Sequence, residues 1–274
     1  MTFLHLKALW CPVFRQCWLI LSALAVGSCA IPLDVDKLVA NRAPPGECAV
    51  LLHGLARDRS SMKPMQVALL RHGYRVVNQN YPSRHLPIQD LSTSVIPTAV
   101  KACREQGAER IHFVTHSLGG ILIRQYLEDS DIPDVGRIVM LAPPNQGSEI
   151  TDTYRNAPGF SLIFGPAGAQ LGTDENSVPS NLGPIAVDTA IIAGTSTINL
   201  ILSLSLPNPD DGKVSVQSTK LDGMCAHLLF PIAHPFIMKD ARVISEVLAY
   251  LSTGTFSSPD SQYFICGANG DVWP

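Results

Sequence analysis

Apolar residues in this chain fall into short unbroken runs, separated by stretches where they recur every three or four positions. The runs at 48–53 (CAVLLH), 74–78 (YRVVN), 111–115 (IHFVT), 137–142 (RIVMLA), 189–193 (TAIIA) and 228–232 (LLFPI) are short and rich in Val, Ile and Leu. Such runs predict buried strands rather than strands with one wet face. Between them, Ser60-Ser61 can cap a helix running to His72 with Gly73 as its stop, and 88–106 reads as a second helix that Pro97 should kink or restart. A third helix is expected over 119–127 and a last one over 240–251. Strand and helix therefore alternate, which predicts an α/β fold: a mostly parallel central sheet of about six strands with helices on both faces. The segment 143–188 breaks the pattern. It is long, carries many Gly and Pro, holds the apolar run Phe160-Ser161-Leu162-Ile163-Phe164, and shows little periodicity. A loop of this length inside a compact domain reads as a cap or lid-like cover, the alternative being an exposed insertion packed on the sheet.

The third run ends abruptly. Thr115-His116-Ser117-Leu118-Gly119-Gly120 places a serine between a strand-like and a helix-like stretch, with glycine two positions on. A strand, a sharp turn bearing serine and a helix packed back on the strand form a nucleophile elbow, in which the positions two before and two after the serine must be small. Gly119 meets that need; Thr115 departs mildly from the usual glycine. Ser-x-Gly alone is weak, and Ser252-Thr253-Gly254 repeats it without the flanking strand and helix.

Composition narrows the classes. Of 274 residues, 46% are hydrophobic and 16% charged, which suits a folded domain with a large core. The net charge is -3, with no basic run interleaved with aromatics, so nucleic acid is not an expected partner. Residues 1–29 form a separate leader. Lys7 and Arg15 precede an apolar run over 17–27 (CWLILSALAVG), and Ser28-Cys29-Ala30 follow. That is the pattern of an export signal, with an apolar core too short to span a bilayer. Val26-Gly27-Ser28-Cys29 resembles a lipobox. The readings are lipid attachment at Cys29 with membrane anchoring, cleavage after Ala30 without lipid, or an uncleaved anchor. Export to the cell envelope, periplasm or medium is expected in the first two. The remaining cysteines, Cys48, Cys103, Cys225 and Cys266, allow three pairings. Cys225 with Cys266 would tie the tail 255–274 to the main domain, 30–254, while Cys48 and Cys103 also read as buried thiols. The tail itself reads as a pairing strand, a disulfide-held flap or disorder. No Cys or His spacing suggests a zinc site.

A serine hydroxyl needs a base to take its proton, and that base needs a carboxylate to orient it. With the order serine, acid, histidine, the base is His227 or His234, and Asp210-Asp211-Gly212 offers the acid. His53-Gly54, Thr115-His116-Ser117-Leu118-Gly119-Gly120, Asp211-Gly212-Lys213-Val214 and His234 together resemble the α/β-hydrolase superfamily, in particular small bacterial serine lipases and esterases, over about residues 48–251. The resemblance implies Asp211 as acid and His234 as base. Asp210 is then a solvated neighbour and His227 a core or surface histidine. Main-chain N–H groups of Leu55 and Leu118 are expected to form the oxyanion hole. His53 and His116 read as shaping the loop and the elbow. The implied activity is hydrolysis of ester or lipid substrates through an acyl-enzyme on Ser117, with no metal or organic cofactor. An acyltransferase on the same triad and a non-catalytic lipid- or protein-binding module are the alternatives.

Overall fold

The computed structural model of the protein describes residues 43–264 and 266. The leader and Cys29 lie outside the described residues, as do the last eight positions of the tail.

The chain enters at β1 (Glu47–Leu52), passes a 3-10 turn (Arg59–Met62) into α1 (Lys63–Arg71), and returns as β2 (Arg75–Gln79). Then follow α2 (Ile88–Glu105), β3 (Arg110–His116), α3 (Leu118–Asp129) and β4 (Val135–Leu141). The irregular segment holds three short helices, α4 (Glu149–Tyr154), α5 (Phe160–Ala169) and α6 (Val178–Asn181). The remainder is β5 (Thr189–Gly194), α7 (Leu200–Ser203), α8 (Val216–Thr219), β6 (Ala226–Phe230), α9 (Ala241–Thr253) and β7 (Gln262–Tyr263).

Strand order is β2-β1-β3-β4-β5-β6-β7, with the first six parallel and β7 antiparallel to β6. Six strands overlap the six apolar runs, with β6 beginning and ending two residues before the sixth run, 228–232. The seventh has no apolar run to announce it; two polar-faced tail residues pair with Ala226 and His227. A disulfide between Cys225 and Cys266 holds the tail there, and a second joins Cys48 on β1 to Cys103 on α2, so the latter two are not free thiols.

Strand geometry splits β1 between two cores. Cys48, Val50 and Leu52 pack with α2 and α3 residues such as Leu91, Val95 and Ile121. Ala49 and Leu51 point the other way, into a layer with Met65 and Leu69 of α1 and Val243, Val247 and Leu251 of α9. Each fully buried Val, Leu or Ile contributes roughly 1.5–3 kcal/mol relative to exposure, so a sheet covered on both faces suffices to organise the whole domain.

Two local expectations are corrected. The first helical stretch is capped by Asp58, whose carboxylate accepts from the Ser60 N–H at 2.7 Å, rather than by Ser60 or Ser61. Helix α2 runs through Pro97 without a break. Pro97 lies on the wet side of α2, and so does Thr93, whose carbonyl loses its helical partner to the proline; water can serve that carbonyl. On the same side Ser94 and Thr98 hydroxyls donate to the carbonyls of Asp90 and Ser94.

The order of the strands decides where chemistry can sit. The chain builds outward from β1 to β2, then crosses back to place β3 on the other side of β1. The crevice at such a reversal lies beyond the carboxyl ends of the two strands. Leu52 is in register with Thr115, so the loop beginning at His53 and the turn at Ser117 emerge side by side.

Candidate active site

Ser117 stands between β3 and α3 with φ 52 and ψ -119, a left-handed conformation that non-glycine residues avoid. Its N–H donates to the Leu141 carbonyl at 2.9 Å, and its carbonyl accepts from the Gly120 N–H at 2.9 Å. The strained turn is thus held from both sides. Close packing of α3 on β1 is possible because Gly119 has no side chain. A Cβ there would lie 2.8 Å from both Cβ and the carbonyl oxygen of Leu52. Backbone cannot yield as a side chain tip can, so Gly119→Val is expected to cost about 1–3 kcal/mol and to shift the serine. A lowered urea midpoint together with reduced activity would show both effects, and an unchanged midpoint would contradict the packing argument. Thr115 is fully buried, and among the described residues its hydroxyl has no hydrogen-bond partner.

Asp211 and His234 meet directly. The ring Nδ1–H of His234 donates to Asp211 Oδ2 at 2.7 Å. The other carboxylate oxygen accepts from the N–H groups of Lys213 at 3.0 Å and Val214 at 2.8 Å. The two loops are further joined by the His234 N–H donating to the Asp211 carbonyl at 3.0 Å. With Nδ1 engaged, Nε2 is the ring nitrogen left free for a proton. Ser117 and His234 line one cavity of about 290 Å³. The serine hydroxyl makes no hydrogen bond within the described chain.

Leu55 lines the same cavity, in a turn closed by the Arg57 N–H donating to the Gly54 carbonyl. Ser83 accepts from the Ala56 N–H at 3.1 Å and steadies that turn. Leu118 opens α3 immediately after the serine. Among the described residues neither leucine N–H donates to a protein acceptor. The far wall is apolar: Ile150, Phe160, Phe164 and Leu171 from the irregular segment, and Val214. Helix α5 reaches the cavity by bending at Gly165 (φ 66), where a Cβ would collide with the Arg84 carbonyl.

The neighbouring groups sort by their partners. His116 donates from Nε2 to the His234 carbonyl at 3.2 Å, and its ring sits 4.8 Å from that of His234. Burial pushes the His116 ring well below the usual histidine range, so it is neutral. It supports the loop that carries His234 as well as the elbow. His53 stacks on Tyr81 at 3.9 Å, its Nδ1–H donates to the Gly54 carbonyl, and burial again lowers its pKa. Asp210 is not a solvated neighbour. It is buried, accepting from Ser203 Oγ at 2.6 Å and the Gly212 N–H at 2.7 Å, and so anchors α7 to the acid loop.

His227 is a core residue hydrogen-bonded to Thr219 Oγ1 at 2.9 Å, and burial, aided by Lys220, pushes it down to about 4. The unfolded chain takes up its proton near the ordinary value of 6.5, which the folded chain refuses until about 4. Folded-state stability should therefore fall as pH drops through that window, and His227→Gln should flatten the decline. Melting temperatures at several pH values between neutrality and 4 test this; equal slopes in both proteins would contradict it.

Residues 49–212 match the model of a family described as "Alpha/beta hydrolase family". The chain belongs to that family. No curated protein matches the sequence. Among solved structures, this hydrolase is similar to the mature form of Bacillus licheniformis lipase BlEst2, with TM-score 0.58 and 17% identity over 78% of this chain and 94% of the other. It is also similar to a metagenomic carboxyl esterase, with TM-score 0.57 and 18% identity over 78% and 73% of the two chains. Aspergillus fumigatus lipase B gives TM-score 0.56 and 14% identity, over 78% and 54%. At such identities the likeness is one of fold.

Three features of the hydrolase site have no sequence signal: the pairing of His116 with the His234 carbonyl, and the cavity positions of Arg57 and Lys213. The first joins residues 118 positions apart. The other two are charged loop residues of the kind that normally face water.

Proposed function

We propose that this α/β hydrolase cleaves carboxylic esters, of lipase or esterase type, through an acyl-enzyme on Ser117. The observation that carries the reading is the Asp211–His234 hydrogen bond, because it engages Nδ1 with the acid and leaves Nε2 free on a residue that lines the same cavity as Ser117. His234 takes the serine proton as Oγ attacks the ester carbonyl, and Asp211 stabilises the imidazolium. The Leu55 and Leu118 N–H groups receive the developing oxyanion. His234 then protonates the leaving alcohol, and water resolves the acyl-enzyme by the same route. Catalytic hydrogen bonds to a nucleophile commonly tighten only when substrate is bound, which accommodates the unbonded hydroxyl.

The apolar wall supports an acyl chain as the bound half of the substrate, and the helices of 143–188 serve as its cover. The two disulfides support a chain that matures in an oxidising compartment, in keeping with an export signal and attachment through Cys29. A fluorophosphonate probe tests the central point. The expected result is a single covalent adduct on the peptide containing Ser117. No adduct, or one elsewhere, would refute the assignment.

A further inference from the structure

Two cations line the cavity, partly buried Lys213 and solvent-exposed Arg57, and among the described residues no carboxylate lines it with them. Arg57 lies two residues beyond Leu55, and Lys213 two residues beyond Asp211. Among the described residues neither side chain forms an ion pair, and no Asp or Glu lines the cavity. Asp211 forms no ion pair with Lys213, since its oxygens are committed to His234 and to two main-chain N–H groups, and its charge reaches the ammonium only through space. The Lys213 ammonium instead lies over the Phe164 ring, 5.7 Å from its centroid. Burial holds it below the usual lysine range; the Asp211 charge opposes that shift and Arg57 adds to it, which places the two cations within electrostatic reach of each other. The chain as a whole is acidic, at net -3, so a cationic cavity is not a by-product of overall charge. Partial burial of Lys213 without an ion-pair partner is costly, and the like charge of solvent-exposed Arg57 nearby adds to that cost. A ligand anion would offset both.

We infer that the substrates of this hydrolase are esters bearing a negative charge, with the anion held by Arg57 and Lys213 while the scissile carbonyl sits at Ser117. The inference rests on the ester-hydrolase reading. The anion takes no part in bond making. Ser117 gains the acyl group, the alcohol leaves with the proton from His234, and one water returns free serine and carboxylic acid. A carboxylate on the acyl chain and a phosphate on the alcohol share the required chemistry.

Two matched pairs of soluble esters separate those sources. p-Nitrophenyl butyrate against the mono-p-nitrophenyl ester of glutaric acid tests charge on the acyl side. Monobutyryl glycerol against monobutyryl glycerol phosphate tests charge on the alcohol side. In at least one pair, kcat/KM for the charged ester should exceed that for the neutral one by on the order of tenfold. The preference should shrink in Lys213→Met and Arg57→Gln, approach unity in the double variant, and decline with added salt. Because the readout is a ratio within one protein, a general loss of activity does not imitate the effect, and the wild-type ratios stand even if a variant fails to fold. Equal or inverted preference in both wild-type pairs, or a preference untouched in a folded double variant, would overturn the inference while leaving Ser117 chemistry in place. Absence of both ester hydrolysis and fluorophosphonate labelling would instead remove the underlying reading, and this one with it.

Discussion

Ser117→Ala should lower kcat for p-nitrophenyl esters by on the order of 10⁶, leaving only what binding and oxyanion donors provide. The fold should be nearly untouched. The hydroxyl makes no hydrogen bond in the described chain and does not cap α3, so its loss orphans no buried group. The strained turn is held by main-chain bonds to Leu141 and Gly120, which alanine keeps. Alanine also occupies left-handed backbone at Ala56 and Ala142. Circular dichroism and the thermal midpoint should therefore match the parent while the initial rate collapses. Substantial residual turnover in a folded variant would place the nucleophile elsewhere.

Asp211→Asn is the second large effect, a loss on the order of 10⁴ in kcat. The amide keeps the size of the carboxylate but can present an N–H₂ where His234 needs an acceptor, favouring the wrong ring tautomer. Its structural consequences are more divided than those at Ser117. Oδ1 accepts from Lys213 and Val214, so asparagine oriented with its oxygen there must turn its amide toward the His234 Nδ1–H. Either the loop or the imidazole gives way. Activity should fall steeply with KM little changed, since the cavity wall is contributed by other residues. Should Asp211→Asn keep near-parental kcat while Asp210→Asn does not, the acid would have been assigned to the wrong member of the pair.

The central strands were legible because a parallel sheet buried on both faces leaves unbroken apolar runs, and the elbow because serine there sits between two opposite periodicities. Asp211 and His234 needed the resemblance to be chosen over Asp210 and His227; burial and partners are what distinguish them in space. Short helices α4, α5 and α6 escaped detection because their residues face the cavity and neighbouring loops irregularly, and α5 bends at Gly165. Strand β7 was legible only as one of three readings of the tail, because two residues whose position depends on pairing with β6 and on a cystine carry no pattern of their own. Asp210 looked like a solvated bystander because an acidic loop residue ordinarily is one, and only the Ser203 hydroxyl across α7 reveals otherwise.

That two-residue strand has a bearing on how the protein behaves outside its oxidising surroundings. It occupies the flank of β6, whose exposed main chain would otherwise be a template for another molecule's backbone. The cystine between 225 and 266 keeps the cover in place. Selective reduction of this cystine would then expose the first two residues of β6, three places along the sheet from β3 and its serine, and the first symptom would be clouding of the solution rather than a fall in turnover.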